Sequence, residues 1–186
     1  MKNADGQRFV RSRLVAQDFR EKDDRREELF AATPPLDTLK AMLALAYRDN
    51  LVVMVLDVKK AHLNGVVKDE DGESFVEAPS ERKREGTCWK LRRWLYGMRP
   101  AARAWEDDYA EKLATEGLSR GKAAPTCFWN EATGVRALVH GDDFVVAGAR
   151  SEVRHIRSKM EEWYEVKIRA VLGAWPEGRQ RDHSAR

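Results

Sequence analysis

Six consecutive apolar residues, Leu51-Val52-Val53-Met54-Val55-Leu56, run directly into an aspartate, Asp57. Half of the run is β-branched, and it is too short for a helix of ordinary length. It predicts a strand buried on both faces. A second pattern of the same kind lies further along. Apolar stretches at Val135 to His140 and Phe144 to Ala147 flank Gly141-Asp142-Asp143, which predicts a tight hairpin carrying two carboxylates at its tip. Any fold of this chain must bury these apolar runs and still compensate the three carboxylates at their ends.

The remaining elements follow from periodicity. Thr33-Pro34-Pro35 breaks the chain, and Asp37 is placed to cap a helix from Thr38 to about Asp49. Leu39, Met42, Leu43, Ala46 and Tyr47 would be its apolar face. Short strands are expected at Phe9-Val10, Leu14-Val15, Ser74 to Ala78 and Cys88 to Leu91, with an acidic turn over Lys68 to Gly72. A helix from about Pro100 to Glu116 would bury Ala104, Trp105, Tyr109 and Leu113 and stop at Gly117. A last helix, capped by Ser151, would bury Val153, Ile156, Met160 and Trp163. Strands and helices do not alternate regularly, so the expected class is α+β: an antiparallel sheet with helices on one face.

With 186 residues, 42% of them apolar, the chain can bury one good core. Its net charge of +3 permits a nucleic-acid partner without arguing for one. Cys88 and Cys127 form no paired motif, so no zinc site is expected. No signal-peptide pattern or bilayer-length apolar run is present, and a soluble intracellular protein is expected. The polar, basic tail, residues 171–186, is expected to be disordered.

Asp57, Asp142 and Asp143 suit hard cations. Adjacent strand ends bearing three carboxylates could hold two Mg²⁺ ions about 3.5–4 Å apart, and Mn²⁺ has the same ligand chemistry. Taken alone, however, Asp142-Asp143 at a hairpin tip is more often simple turn chemistry, and Asp57 could equally cap the next element.

Four segments resemble a known family. Asp57-Val58-Lys59-Lys60-Ala61-His62-Leu63-Asn64-Gly65 resembles the DVKTAFLNG run of copia-type retrotransposon reverse transcriptases, and Leu95-Tyr96-Gly97-Met98-Arg99-Pro100-Ala101-Ala102-Arg103-Ala104-Trp105 is similar to their LYGLKQAPRAW. Val139-His140-Gly141-Asp142-Asp143 stands at their YVDD box, and Arg11-Ser12-Arg13-Leu14-Val15-Ala16 resembles KARLVA. The segments occur in family order. The resemblance implies a polymerase palm over residues 51–170 and a small fingers-like lobe over 1–50. It implies templated DNA synthesis on RNA or DNA with a primer, from deoxynucleoside triphosphates. Asp57, Asp142 and Asp143 would be the catalytic metal ligands, with the Val58 carbonyl a further ligand. Arg11 and Arg13 would hold the triphosphate, Tyr96, Gly97 and Arg99 would line the nucleotide pocket, and His62 would be the steric gate against a 2′-hydroxyl. The basic residues Lys90, Arg92, Arg93, Arg99 and Arg103 would contact phosphates.

The chain departs from the family at His140 for tyrosine, with Gly141 after it, at Pro100 and Ala102 for Gln and Pro, and at His62 for an aromatic residue. A thumb and the other polyprotein domains are expected to be missing, as in a piece of a polyprotein or a truncated copy. The alternative is a catalytically inactive remnant that keeps the fold and at most binds nucleic acid. A palm-fold cyclase is a third reading, against which Arg11, Arg13 and the Leu95 to Trp105 segment argue.

Overall fold

A computed structural model describes residues 14–16 and 34–173. The described chain falls into two compact units. One comprises His62–Glu106 with residues 14–16, and the other residues 34–61 with 107–173. This division is one of packing, whereas the boundaries at residues 50 and 170 divide the chain by motif.

The second unit contains a six-stranded sheet. Its strands are β1 (Val52–Val58), β4 (Ser119–Arg120), β5 (Cys127–Trp129), β6 (Arg136–His140), β7 (Asp143–Gly148) and β8 (Val166–Leu172). They lie in the order β4-β5-β6-β7-β1-β8, and all pairings are antiparallel. The apolar run thus occupies an interior position, where burial on both sides is available. Met54, Leu56 and Phe144 are buried, each worth about 1.5–3 kcal/mol of apolar transfer.

Helix α1 (Leu36–Arg48) packs Met42 and Ala46 against Val53, Leu138 and Ala147. Helix α2 (Ala101–Thr115) directs Tyr109 edge-on to Phe128 and Phe144, at ring centroid distances of 5.9 and 5.4 Å. Val53 pairs with Ala147, and Val139 with Phe144. Because Phe144 and Ala147 are three apart on β7, they point to opposite faces. Helices therefore cover both faces, and the expectation of helices on one face is corrected. An interior strand that is apolar on both sides needs both covered. Helix α3 (Arg150–Trp163) buries Val153, Ile156 and Met160 as expected, while Trp163 is half-buried.

Two capping expectations are also corrected. Pro35 and Ala149, not Asp37 and Ser151, are the N-cap residues, and neither makes a side-chain cap. Asp37 instead lies in the first turn of α1, where a carboxylate favours the helix dipole, and pairs with Lys40 at 3.3 Å. Tyr47 is 91% exposed and does not join the apolar face of α1. At the end of the chain, Val171 and Leu172 belong to β8 rather than to a disordered tail, and residues 174–186 lie outside the described residues.

The first unit holds the two-stranded ribbon β2 (Phe75–Val76) and β3 (Trp89–Lys90), near the strands expected there. Residues 14–16 form no strand, but the Ala16 N–H donates to the Tyr96 carbonyl at 2.8 Å. Phe9-Val10 lies outside the described residues. Among the described residues, no helix is long and apolar enough to cross a membrane.

Candidate functional site

The β6–β7 connection is a two-residue loop, Gly141-Asp142, closed by the His140–Asp143 pair. Gly141 has φ +64°, the only positive φ of the two, which is the pattern of a type II′ turn. Asp142 is therefore in the loop, while Asp143 is the first residue of β7. The next strand over is β1, and Asp57 pairs with Asp143 in its register. The Val58 N–H donates to the Asp142 carbonyl at 2.8 Å, tying the hairpin tip to the end of β1.

Asp57 and Asp143 share the sheet face that α1 covers at Val53 and Ala147. They lie four residues further along their strands, about 13 Å beyond the helix contact. The same face is thus apolar and covered at one end, and carboxylate-bearing at the other. Partial burial raises the Asp143 carboxyl above the ordinary carboxylate pKa. Repulsion from Asp142 and then Asp57 adds to this, while Arg169 and His140 oppose it. Arg169 donates to Asp57 Oδ1 at 3.1 Å, and the Asp57 side chain is only 17% exposed. Beside it, Lys59 pairs with Glu165 at 2.6 Å and holds that carboxyl below its ordinary pKa.

The donor set is all carboxylate oxygen, and its mutual repulsion is what a hard divalent cation would relieve. On chemistry, therefore, these residues fit Mg²⁺ or Mn²⁺. Among the described residues, no group of three or more His, Cys, Asp or Glu is already gathered closely enough to hold a metal ion. The Val58 side chain is fully buried.

The other expected site residues fall in the first unit, with the exception of Arg11 and Arg13, which lie outside the described residues. His62 stacks on Tyr96, with ring centroids 5.2 Å apart and planes 29° apart. Gly97 has φ +83°, and a Cβ there would fall 2.2 Å from the Ala16 carbonyl oxygen. Arg99 is half-buried. Within the basic group, Lys90 pairs with Glu73, and Arg93 donates to the carbonyls of Leu63 and Asn64 at 3.3 and 3.2 Å. Arg92 and Arg103 are exposed.

Two features were not anticipated from the sequence. One is Arg169 at Asp57. The alternation Val166-Lys167-Ile168-Arg169 is a strand signal, but nothing in it shows which strand lies alongside. The other is a polar cluster in which Tyr164 Oη donates to Asp108 at 2.6 Å and Lys112 pairs with the same carboxylate at 2.9 Å. Burial, with Asp108 behind it, pushes the Tyr164 hydroxyl far above its ordinary pKa.

Residues 2–175 match the family described as "Reverse transcriptase (RNA-dependent DNA polymerase)". The chain is 27% identical over 146 residues to the retrovirus-related Pol polyprotein from transposon TNT 1-94 of Nicotiana tabacum, a match covering 74% of this chain. It is 26% identical over 157 residues to that of transposon RE1 of Arabidopsis thaliana, and 24% identical over 170 residues to that of transposon RE2 of the same plant, covering 82% and 89% of this chain. The matches span only 11% to 12% of the length of these relatives.

Proposed function

The chain belongs to the copia-type retrotransposon reverse transcriptase family, and on that premise we propose that it is a polymerase module. It extends a primer on an RNA or DNA template, with Asp57, Asp142 and Asp143 as its catalytic carboxylates. The observation that carries this reading is the in-register pairing of Asp57 with Asp143, beside a hairpin tip tied to β1 through Val58 and Asp142. Carboxylates from distant parts of the chain share one sheet end, as a common ligand would require.

Bound divalent cations supply activation of the primer 3′-hydroxyl and neutralisation of charge on the transferring phosphate. Asp57 and Asp142 would be the principal ligands, Asp143 would stand beside them, and the Val58 carbonyl would be an added oxygen donor. The β1–β7 register holds Asp57 and Asp143 side by side, and a bound cation would draw the three carboxylates together. The remaining roles come by resemblance: Arg11 and Arg13 for the triphosphate, Tyr96, Gly97 and Arg99 for the nucleotide, and His62 for the sugar. Histidine is a smaller ring than phenylalanine and can hydrogen-bond, so a His62 gate tolerates a 2′-hydroxyl better. A thumb and other polyprotein domains would complete the grip on the duplex.

The second reading, an inactive remnant, draws its support from the Arg169–Asp57 ion pair, which engages one candidate ligand. Primer extension separates the two. Mg²⁺-dependent extension by the chain, abolished in Asp142→Asn, supports the polymerase. Extension that survives in the variant, or none from the native chain, refutes it.

A further inference from the structure

The β1–β8 pairing contains a bulge. Val55 pairs with Ala170, but Leu56 pairs with Ile168, so Arg169 is the extra residue on β8. An unbroken register would set Arg169 opposite Leu56, whose side chain is fully buried. Cross-strand partners share a face, so the guanidinium would then face the apolar side of the sheet, at a high desolvation cost. The bulge avoids this. It keeps Ile168 opposite Leu56 and Lys167 opposite Asp57, and releases Arg169 from the alternation. The Arg169 guanidinium reaches Asp57 Oδ1 at 3.1 Å, from a side chain 46% exposed. A half-exposed arginine can leave a carboxylate without crossing the core.

We propose that Arg169 is a built-in counter-cation for Asp57, one that holds this carboxylate in the metal-free protein and competes with divalent cations for it. The inference rests on the cation-site reading above. Arg169 lets go of Asp57 as a cation binds, and turns into solvent or toward an incoming anionic substrate. Its charge therefore weakens cation binding in the absence of substrate. It also spares the metal-free sheet end three uncompensated carboxylates.

The test is a Mn²⁺ titration of the full chain, following loss of the free-ion electron paramagnetic resonance signal. Arg169→Gln should bind Mn²⁺ roughly threefold to tenfold more tightly than the native chain, the range expected for removing one half-exposed charge. Arg169→Met, which keeps the aliphatic stem, should do the same, so a folding defect in one variant leaves the other to decide. Arg169→Lys keeps the charge and should stay within about twofold of native. Unchanged affinity in both uncharged variants overturns the proposal, as does equal tightening in Arg169→Lys. Asp142→Asn separates the two levels. If it weakens Mn²⁺ binding while the Arg169 variants change nothing, the counter-cation role falls and the cation site stands. If Asp142→Asn leaves Mn²⁺ binding unchanged, or the native chain binds none, the cation site fails and the counter-cation role fails with it.

Discussion

Replacing Gly97 with alanine tests the packing of the Leu95 to Trp105 segment on residues 15 and 16. At Gly97 φ is +83°, and a Cβ would sit 2.2 Å from the Ala16 carbonyl oxygen and 2.6 Å from Val15 Cγ1. Holding alanine at positive φ costs about 1–2 kcal/mol. The clash with a backbone oxygen must also push residues 15–16 away, breaking the Ala16 N–H to Tyr96 bond of 2.8 Å, for about another 1 kcal/mol. The total, roughly 2–3 kcal/mol, corresponds to about a 30- to 150-fold loss of protection where exchange reports local opening. Hydrogen exchange at the Ala16 amide is the assay. Gly134→Ala is the control: its φ is +72°, with nothing within 4 Å of the added Cβ, so it should leave Ala16 unchanged. Native protection of Ala16 in Gly97→Ala would show that the Leu95 to Trp105 segment does not pack on residues 15 and 16 in this way.

Tyr164→Phe should lower stability by about 1–2 kcal/mol in urea unfolding, through loss of the 2.6 Å bond to Asp108; no change would show that Lys112 alone satisfies that carboxylate. Asp143→Asn should raise the melting temperature of the metal-free protein at neutral pH. The Asp143 pKa is raised in the fold, so its ionised form is disfavoured there. The variant's advantage should vanish below about pH 4 and grow as pH rises through the raised value; a pH-independent gap would contradict this. His62→Phe should increase discrimination against ribonucleotides in single-nucleotide incorporation, and equal selectivity in the two proteins would reject the gate role.

Several elements were legible because their physics is local. The Leu51 to Leu56 run announced an interior strand, and Gly141 between two apolar stretches announced the hairpin. The spacing of Val153, Ile156 and Met160 gave α3. Less legible was whatever depended on neighbours. Strand β4 is two residues long and is defined by its pairing with β5, so it has no period of its own. Tyr47 fits a helical stripe that extends past the surface α1 covers. The candidate carboxylates could be named from two strand ends and a resemblance. Arg169 could not, because its position depends on a register shift against β1. Nor did Pro35 and Ala149 look like caps, since the chain entering α1 and α3 leaves the first turns without a side-chain cap.

On the proposed function, Asp57, Asp142 and Asp143 serve one cation site. Paramagnetic broadening of backbone amide signals by substoichiometric Mn²⁺ tests it most directly, because it reports position without requiring activity. The signals of Asp57, Val58, Asp142 and Asp143 should broaden together, ahead of those at the acidic turn Asp69–Asp71, and Asp142→Asn should abolish the effect. Broadening at one strand end without the other, or first at Asp69–Asp71, would contradict a shared site.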